Sequence, residues 1–171
     1  MFCTDIQAPL YLIFSNSVPH LLYYSHIPTA IVALFFGFFV FYKSRSLVSK
    51  VLLSLTIIFS LWVFFSLVVW ASVDSRIIMF VWSFFGILDS LISLLGFYFI
   101  YVFIYKKDLS FKFKIFLGLI IFPAIVFSSK NTIGVFDIPN CEAVENDLYN
   151  YYILFLDSFF VLMTVVFSFL G

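Results

Sequence analysis

Apolar residues in this chain fall into five long runs, and most of the strongly polar residues are confined to the breaks between them. The runs cover about 19–42, 51–72, 76–105, 113–129 and 149–170. A helix needs about 20 mostly apolar residues to cross a hydrocarbon core of roughly 30 Å. The pattern therefore predicts an all-α fold, a polytopic transmembrane helix bundle with five spans. The breaks are KSRSLVSK at 43–50, a three-residue link at 73–75, KKDLSFKFK at 106–114, and an acidic outer loop at 130–148. So short a link between the second and third runs forces them into an antiparallel hairpin. Residues 1–18 hold a short apolar run broken by Pro9 and Ser15, and no Lys or Arg. They predict a retained extracytoplasmic segment at the membrane interface, because a cleavable signal would carry a basic start. Pro123 lies inside the fourth run and predicts a kink, with the freed carbonyl satisfied by neighbours or waters.

The third run organises the others. It is long enough to cross a bilayer with residues to spare, yet it carries a carboxylate, Asp89, near its middle. Steps of three and four along a helix place Gly86, Asp89, Ser93 and Gly96 on one face. Small residues let membrane helices approach closely and polar ones bond across the contact, so this seam is expected to face other helices. The fifth run has a second intramembrane acid, Asp157, on a stripe with Asn150, Thr164 and Ser168, spaced by seven, seven and four. The two stripes could face each other across a polar interior. Three roles are open for the acids. They could be structural groups held by serines and backbone, a site that senses a ligand or proton, or the lining of an ion or substrate path. Burial raises a carboxylate's pKa and no Lys or Arg lies mid-span to neutralise either acid, so at least one is expected to be protonated at neutral pH.

Composition narrows the functional classes. The chain is 64% hydrophobic and 11% charged, with a mean hydropathy of +1.18, whereas a soluble domain has about 25% charged residues. The lipid bilayer is thus its solvent. Seven of its nine Lys and Arg residues occupy the two breaks at 43–50 and 106–114, leaving Arg76 and Lys130 for the opposite side. By the positive-inside rule those breaks are cytoplasmic and the N-terminus is outside. They read as topology signals, not as nucleic-acid or specific lipid sites. Cys3 and Cys141 both fall outside, where a disulfide between them is chemically permitted. Retinal attachment needs a lysine within a span, and there is none. His20 and His26 begin the first span on the outer side, as headgroup-level residues facing lipid. No phosphate loop, nucleophile elbow, metal signature or cofactor motif occurs, so no enzymatic role is assigned to the chain. The last run ends at FSFLG with no basic flank, which leaves two expectations, a bundle continuing past Gly171 or a small five-helix protein with a buried end.

Several segments together resemble a known family. They are PHLLYYSHIPTAIVALFFGFFVFYKSRS in the first span, the SLWVFFSLVVWASVDSRIIMFVWSFFG hairpin with its tryptophans, and NCEAVENDLYNYY before the last span. In hydropathy, topology and tryptophan content they resemble the N-terminal seven-transmembrane sensor region of bacterial membrane-bound histidine kinases, over nearly the whole chain. The resemblance implies seven spans, of which five are present here, a cytoplasmic output domain and a homodimer formed through that domain. It implies a sensory role and names no ligand. A transporter or channel component using Asp89 and Asp157, or a structural membrane subunit, are the alternatives.

Overall fold

A computed structural model describes residues 20–72, 75–129, 134–137 and 142–170. The elements in chain order are α1 (His20–Ser44), α2 (Leu47–Ala71), α3 (Ser75–Trp82), α4 (Phe85–Tyr105), α5 (Phe111–Ser129), the strands β1 (Gly134–Asp137) and β2 (Glu142–Glu145), and α6 (Asp147–Leu170). Taking α3 and α4 as one run, five helical segments among the described residues are long and apolar enough to span a membrane. The fold is an all-α bundle of a multi-pass membrane protein. Its strands form a small antiparallel hairpin within the 130–148 loop, with Val135 opposite Val144. This ribbon packs on α3, where Ala143 is buried.

The ends of the helices follow from local chemistry. Arg45 takes a left-handed conformation, φ 48°, and turns the chain sharply after α1. Ser46 then caps α2, its hydroxyl accepting from the Ser49 N–H at 3.3 Å, as an N-cap serine does for an otherwise unsatisfied helix donor. The second span therefore starts at Leu47, four residues before the expected boundary at 51. Lys106, at φ 53°, ends α4 in the same left-handed way, its N–H donating to the Val102 carbonyl at 2.9 Å.

The third span is not the single helix expected from its hydropathy. Ser83 still donates its backbone N–H to Met79, four residues back, but Phe84 donates to Val81, three back. The Ser83 hydroxyl also binds the Phe80 carbonyl at 2.6 Å. Tightening of the turn and a serine competing for a carbonyl are recognised causes of a helix break. Apolar composition does not register either effect.

Both helix prolines show one further local device. Pro28 and Pro123 lie inside α1 and α5, and in each case the carbonyl three residues earlier receives a side-chain hydroxyl. The Thr29 hydroxyl donates to Ser25 O at 2.6 Å. The Tyr152 hydroxyl, from α6, donates to Ile120 O. Proline removes a ladder donor, and these hydroxyls supply hydrogen bonds where the ladder is weakened.

Packing runs laterally from α1 to α2, from α2 to α4, and from α4 to α6, with α5 against α4 and α6. The α1–α2 contact is antiparallel and lined by small or polar groups. The Ser60 hydroxyl donates to Ala30 O at 3.2 Å, Ser66 Oγ lies 3.4 Å from His26 Nε2, and a methyl group on Gly37 would collide with the Thr56 hydroxyl. His26 is therefore half-buried against α2, not turned to lipid as its place in the sequence suggests. The main apolar core joins α4, α5 and α6 through Phe97, Leu117, Ile121, Ala124, Leu156 and Phe160, and it also takes in Leu109 from the α4–α5 turn.

Candidate functional site

The polar centre of the bundle lies between α4 and α6. The Ser93 hydroxyl donates to Asp157 Oδ1 at 2.8 Å, joining residues 64 positions apart. Two further contacts flank this bond. Towards the start of α4, Gly86 is so close to α6 that an added Cβ would strike the Tyr149 phenol and lie 3.0 Å from Ile153 Cδ1. Towards its end, the Tyr105 hydroxyl donates to Phe167 O at 3.2 Å. The paired residues are offset by 63, 64 and 62 positions. A near-constant difference means that α4 and α6 run parallel, touching at three levels along most of their length.

The glycine at 86 is what permits this approach. Tyr149 is only 2% exposed and its ring fills the space a side chain at 86 would need. Ser90, one turn further along α4, is fully buried and returns its hydroxyl to Gly86 O at 2.7 Å. Asp89 is half-buried, one turn before Ser93. Gly96 has no atom within 4 Å of its would-be Cβ and so makes no close helix contact. On α6, Asp157 is half-buried, but Asn150 is exposed. Thr164 and Ser168 bind their own helix, donating to Phe160 O at 2.8 Å and Thr164 O at 2.7 Å. Of the two sequence stripes, Gly86 and Ser93 reach α6, and Asp157 reaches α4.

A carboxyl group held by a hydroxyl between parallel helices can take up or release a proton, and it can exchange one hydrogen-bond partner for another. Either event changes the polar contact at the middle of the helix pair. Among the described residues no cluster of three or more His, Cys, Asp or Glu side chains could hold a metal ion. Cys3 and Cys141, and the side chain of His20, lie outside the described residues.

A second polar cluster closes the α4–α5 turn. Asp108 accepts from the Tyr98 hydroxyl at 2.5 Å through Oδ1 and from Lys114 Nζ at 2.7 Å through Oδ2. Lys114 also lies 5.5 Å from the centre of the Tyr98 ring. The hydrogen bond from Lys114, and then that from Tyr98, hold the Asp108 carboxyl below its ordinary pKa.

No protein family, curated protein or solved structure matches this chain.

Sequence reasoning missed the α1–α2 seam and the Tyr98–Asp108–Lys114 cluster. The first had a signal, since His26, Ala30 and Gly37 recur by four and seven within an aromatic helix. The second had none, because Tyr98 and Asp108 meet only after the turn has folded back along α4.

Proposed function

We propose that this chain is a membrane-embedded signal-input module of a histidine kinase-type receptor, with the N-terminus outside and the two basic turns in the cytoplasm. The observation that carries this reading is the α4–α6 pair. Two parallel helices meet at three levels, and the carboxyl–hydroxyl bond between Ser93 and Asp157 lies at the middle one. A stimulus that favours one state of that bond over another shifts the pair between packings, and only such differential stabilisation can transmit a signal. Packed helices respond by discrete displacements and not by continuous bending, so the change is delivered at the basic end. The basic turns support the orientation by the positive-inside rule, and the likeness to histidine kinase sensor regions supports the class.

The test uses spin labels on Phe103→Cys and Phe169→Cys, both exposed and near the ends of α4 and α6, in a chain whose own Cys3 and Cys141 are changed to Ser. Pulsed electron-spin distances in lipid nanodiscs are compared between pH 5 and pH 8, with the proton as probe, and between the parent chain and Asp157→Asn. A sensor pair gives a shift of a few ångströms with pH and a fixed distance in Asp157→Asn. An unchanging distance in all four samples refutes the reading. Proton flux into vesicles that is abolished by Asp157→Asn would replace it with transport.

A further inference from the structure

We infer that the turn between α4 and α5 is a preformed binding site for the headgroup of an anionic phospholipid, presented by Lys106, Lys107 and Lys112. On sequence alone these lysines need be no more than topology signals, and a topology signal requires charge without shape. The turn has shape. Four independent anchors fix it: the Lys106 N–H on Val102 O, Asp108 between Tyr98 and Lys114, Leu109 buried in the core, and the Ser110 hydroxyl accepting from the Phe113 N–H at 3.4 Å.

The charge arrangement favours an anion. Asp108 is the only acid in either basic stretch, 43–50 or 106–114. It is already engaged by Lys114, a 2.7 Å ion pair. Lys106, Lys107 and Lys112 are all exposed within seven residues, and the one acid among them is the Asp108 that Lys114 engages. Phe111, adjacent to Lys112, is 77% exposed. An exposed ring beside exposed cations at the end of a membrane span matches the headgroup level, where aromatic rings and anionic lipids meet. The occupant is therefore a phospholipid, whose acyl chains cover Phe111 while its phosphate meets the lysines.

The experiment measures the apparent affinity of the purified full chain in neutral detergent, from the thermal unfolding midpoint during titration with phosphatidylglycerol, phosphatidylcholine or inorganic phosphate. Phosphatidylglycerol is expected to stabilise and saturate, with the other two having little effect. Each Lys→Gln change at 106, 107 or 112 should weaken the apparent affinity about fivefold, from the typical contribution of one basic residue at an anionic surface. The decisive variants act on the anchor. Tyr98→Phe leaves every charge in place, and Asp108→Asn makes the turn more positive. A preformed site loses affinity about two- to fivefold in both. Nonspecific attraction leaves Tyr98→Phe unchanged and strengthens Asp108→Asn, and that pattern overturns the proposal. Equal stabilisation by phosphatidylcholine, or full stabilisation by inorganic phosphate alone, overturns it as well. If Asp108→Asn does not fold, Tyr98→Phe alone decides between the two.

Discussion

The bond between Ser93 and Asp157 is open to a double-mutant cycle with Ser93→Ala, Asp157→Ala and the double variant. Interhelical hydrogen bonds inside bilayers average about 0.6 kcal/mol and reach about 1.7 kcal/mol. Bonds to an ionised acceptor are roughly twice as strong as neutral ones. With a donor–acceptor distance of 2.8 Å and both residues half-buried, the expected coupling is about 0.6 kcal/mol if Asp157 is protonated and about 1.2 kcal/mol if it is ionised. Each single variant should cost more than the coupling, because it also strands a polar partner away from water. Reversible unfolding in mixed micelles, followed by the fluorescence of Trp62, Trp70 and Trp82, gives the four free energies. A coupling below about 0.3 kcal/mol, smaller than the usual additivity error, would show that the bond does not join the helices. The double variant Ser93→Ala with Asp157→Leu adds a sharper comparison, since replacing both members of a buried polar pair by apolar groups is often neutral or stabilising. A double variant that is stabilised but no longer responds in the spin-label experiment would mean that the pair is kept for signalling and not for stability.

Two glycines on one helix predict opposite outcomes in the same unfolding assay. Gly86→Ala should destabilise by about 1–3 kcal/mol, the usual cost of overpacking, because the added methyl would strike the phenol of Tyr149, which is itself buried. Gly96→Ala should be neutral or stabilising by up to about 1 kcal/mol, because nothing lies within 4 Å of its Cβ position. Tyr152→Phe should cost about 1 kcal/mol by removing the hydroxyl that donates to Ile120 O near Pro123. The Asp108 carboxyl should titrate below its ordinary value of 3.8 in a carbon-13 spectrum. Its folded pKa is depressed, so its stabilisation is complete above that ordinary value and is lost only as pH falls through the lower folded one. The contact to Lys114 should persist at pH 5, and a midpoint at or above 3.8 would contradict the geometry.

Hydropathy exposed the existence of every span because a bilayer demands about 20 apolar residues from each crossing helix, whatever it packs against. That same demand hides the buried face. On a soluble helix an apolar stripe marks the core, but here Phe35, Phe122 and Leu162 are as apolar as the core and all face outward. What distinguishes an inward face in lipid is small size and polarity. This is why Gly86 and Ser93 pointed to α6, and why a search for the same signal in α1 would have found Gly37 and Ala30. Thr164 and Ser168 show the limit of that rule, since a hydroxyl that bonds its own helix satisfies itself without a neighbour. The break at Ser83 and Phe84, the burial of Leu109 and the strand pairing of 134–137 with 142–145 depend on contacts made only after the chain has folded.

The break also has a place in the bundle that bears on how α4 could move. Trp62 and Phe65 of α2 pack on Phe85 and Phe84, with ring centres 6.0 and 5.7 Å apart, at the start of α4. Two turns beyond Phe85, Ser93 meets Asp157 on a different helix. Because α4 is continuous from Phe85 to Tyr105, a rotation that releases Ser93 from Asp157 also turns Phe85 against Trp62. The α2 contact therefore resists the motion, and aromatic pairs of this kind contribute about 0.5–1.5 kcal/mol beyond their buried area. That is comparable to the worth of the Ser93–Asp157 bond, so neither contact dominates. Both contacts hold α4 in the same position, so a change at the carboxyl group removes about half of that restraint and leaves the aromatic contact to set how far the helix turns.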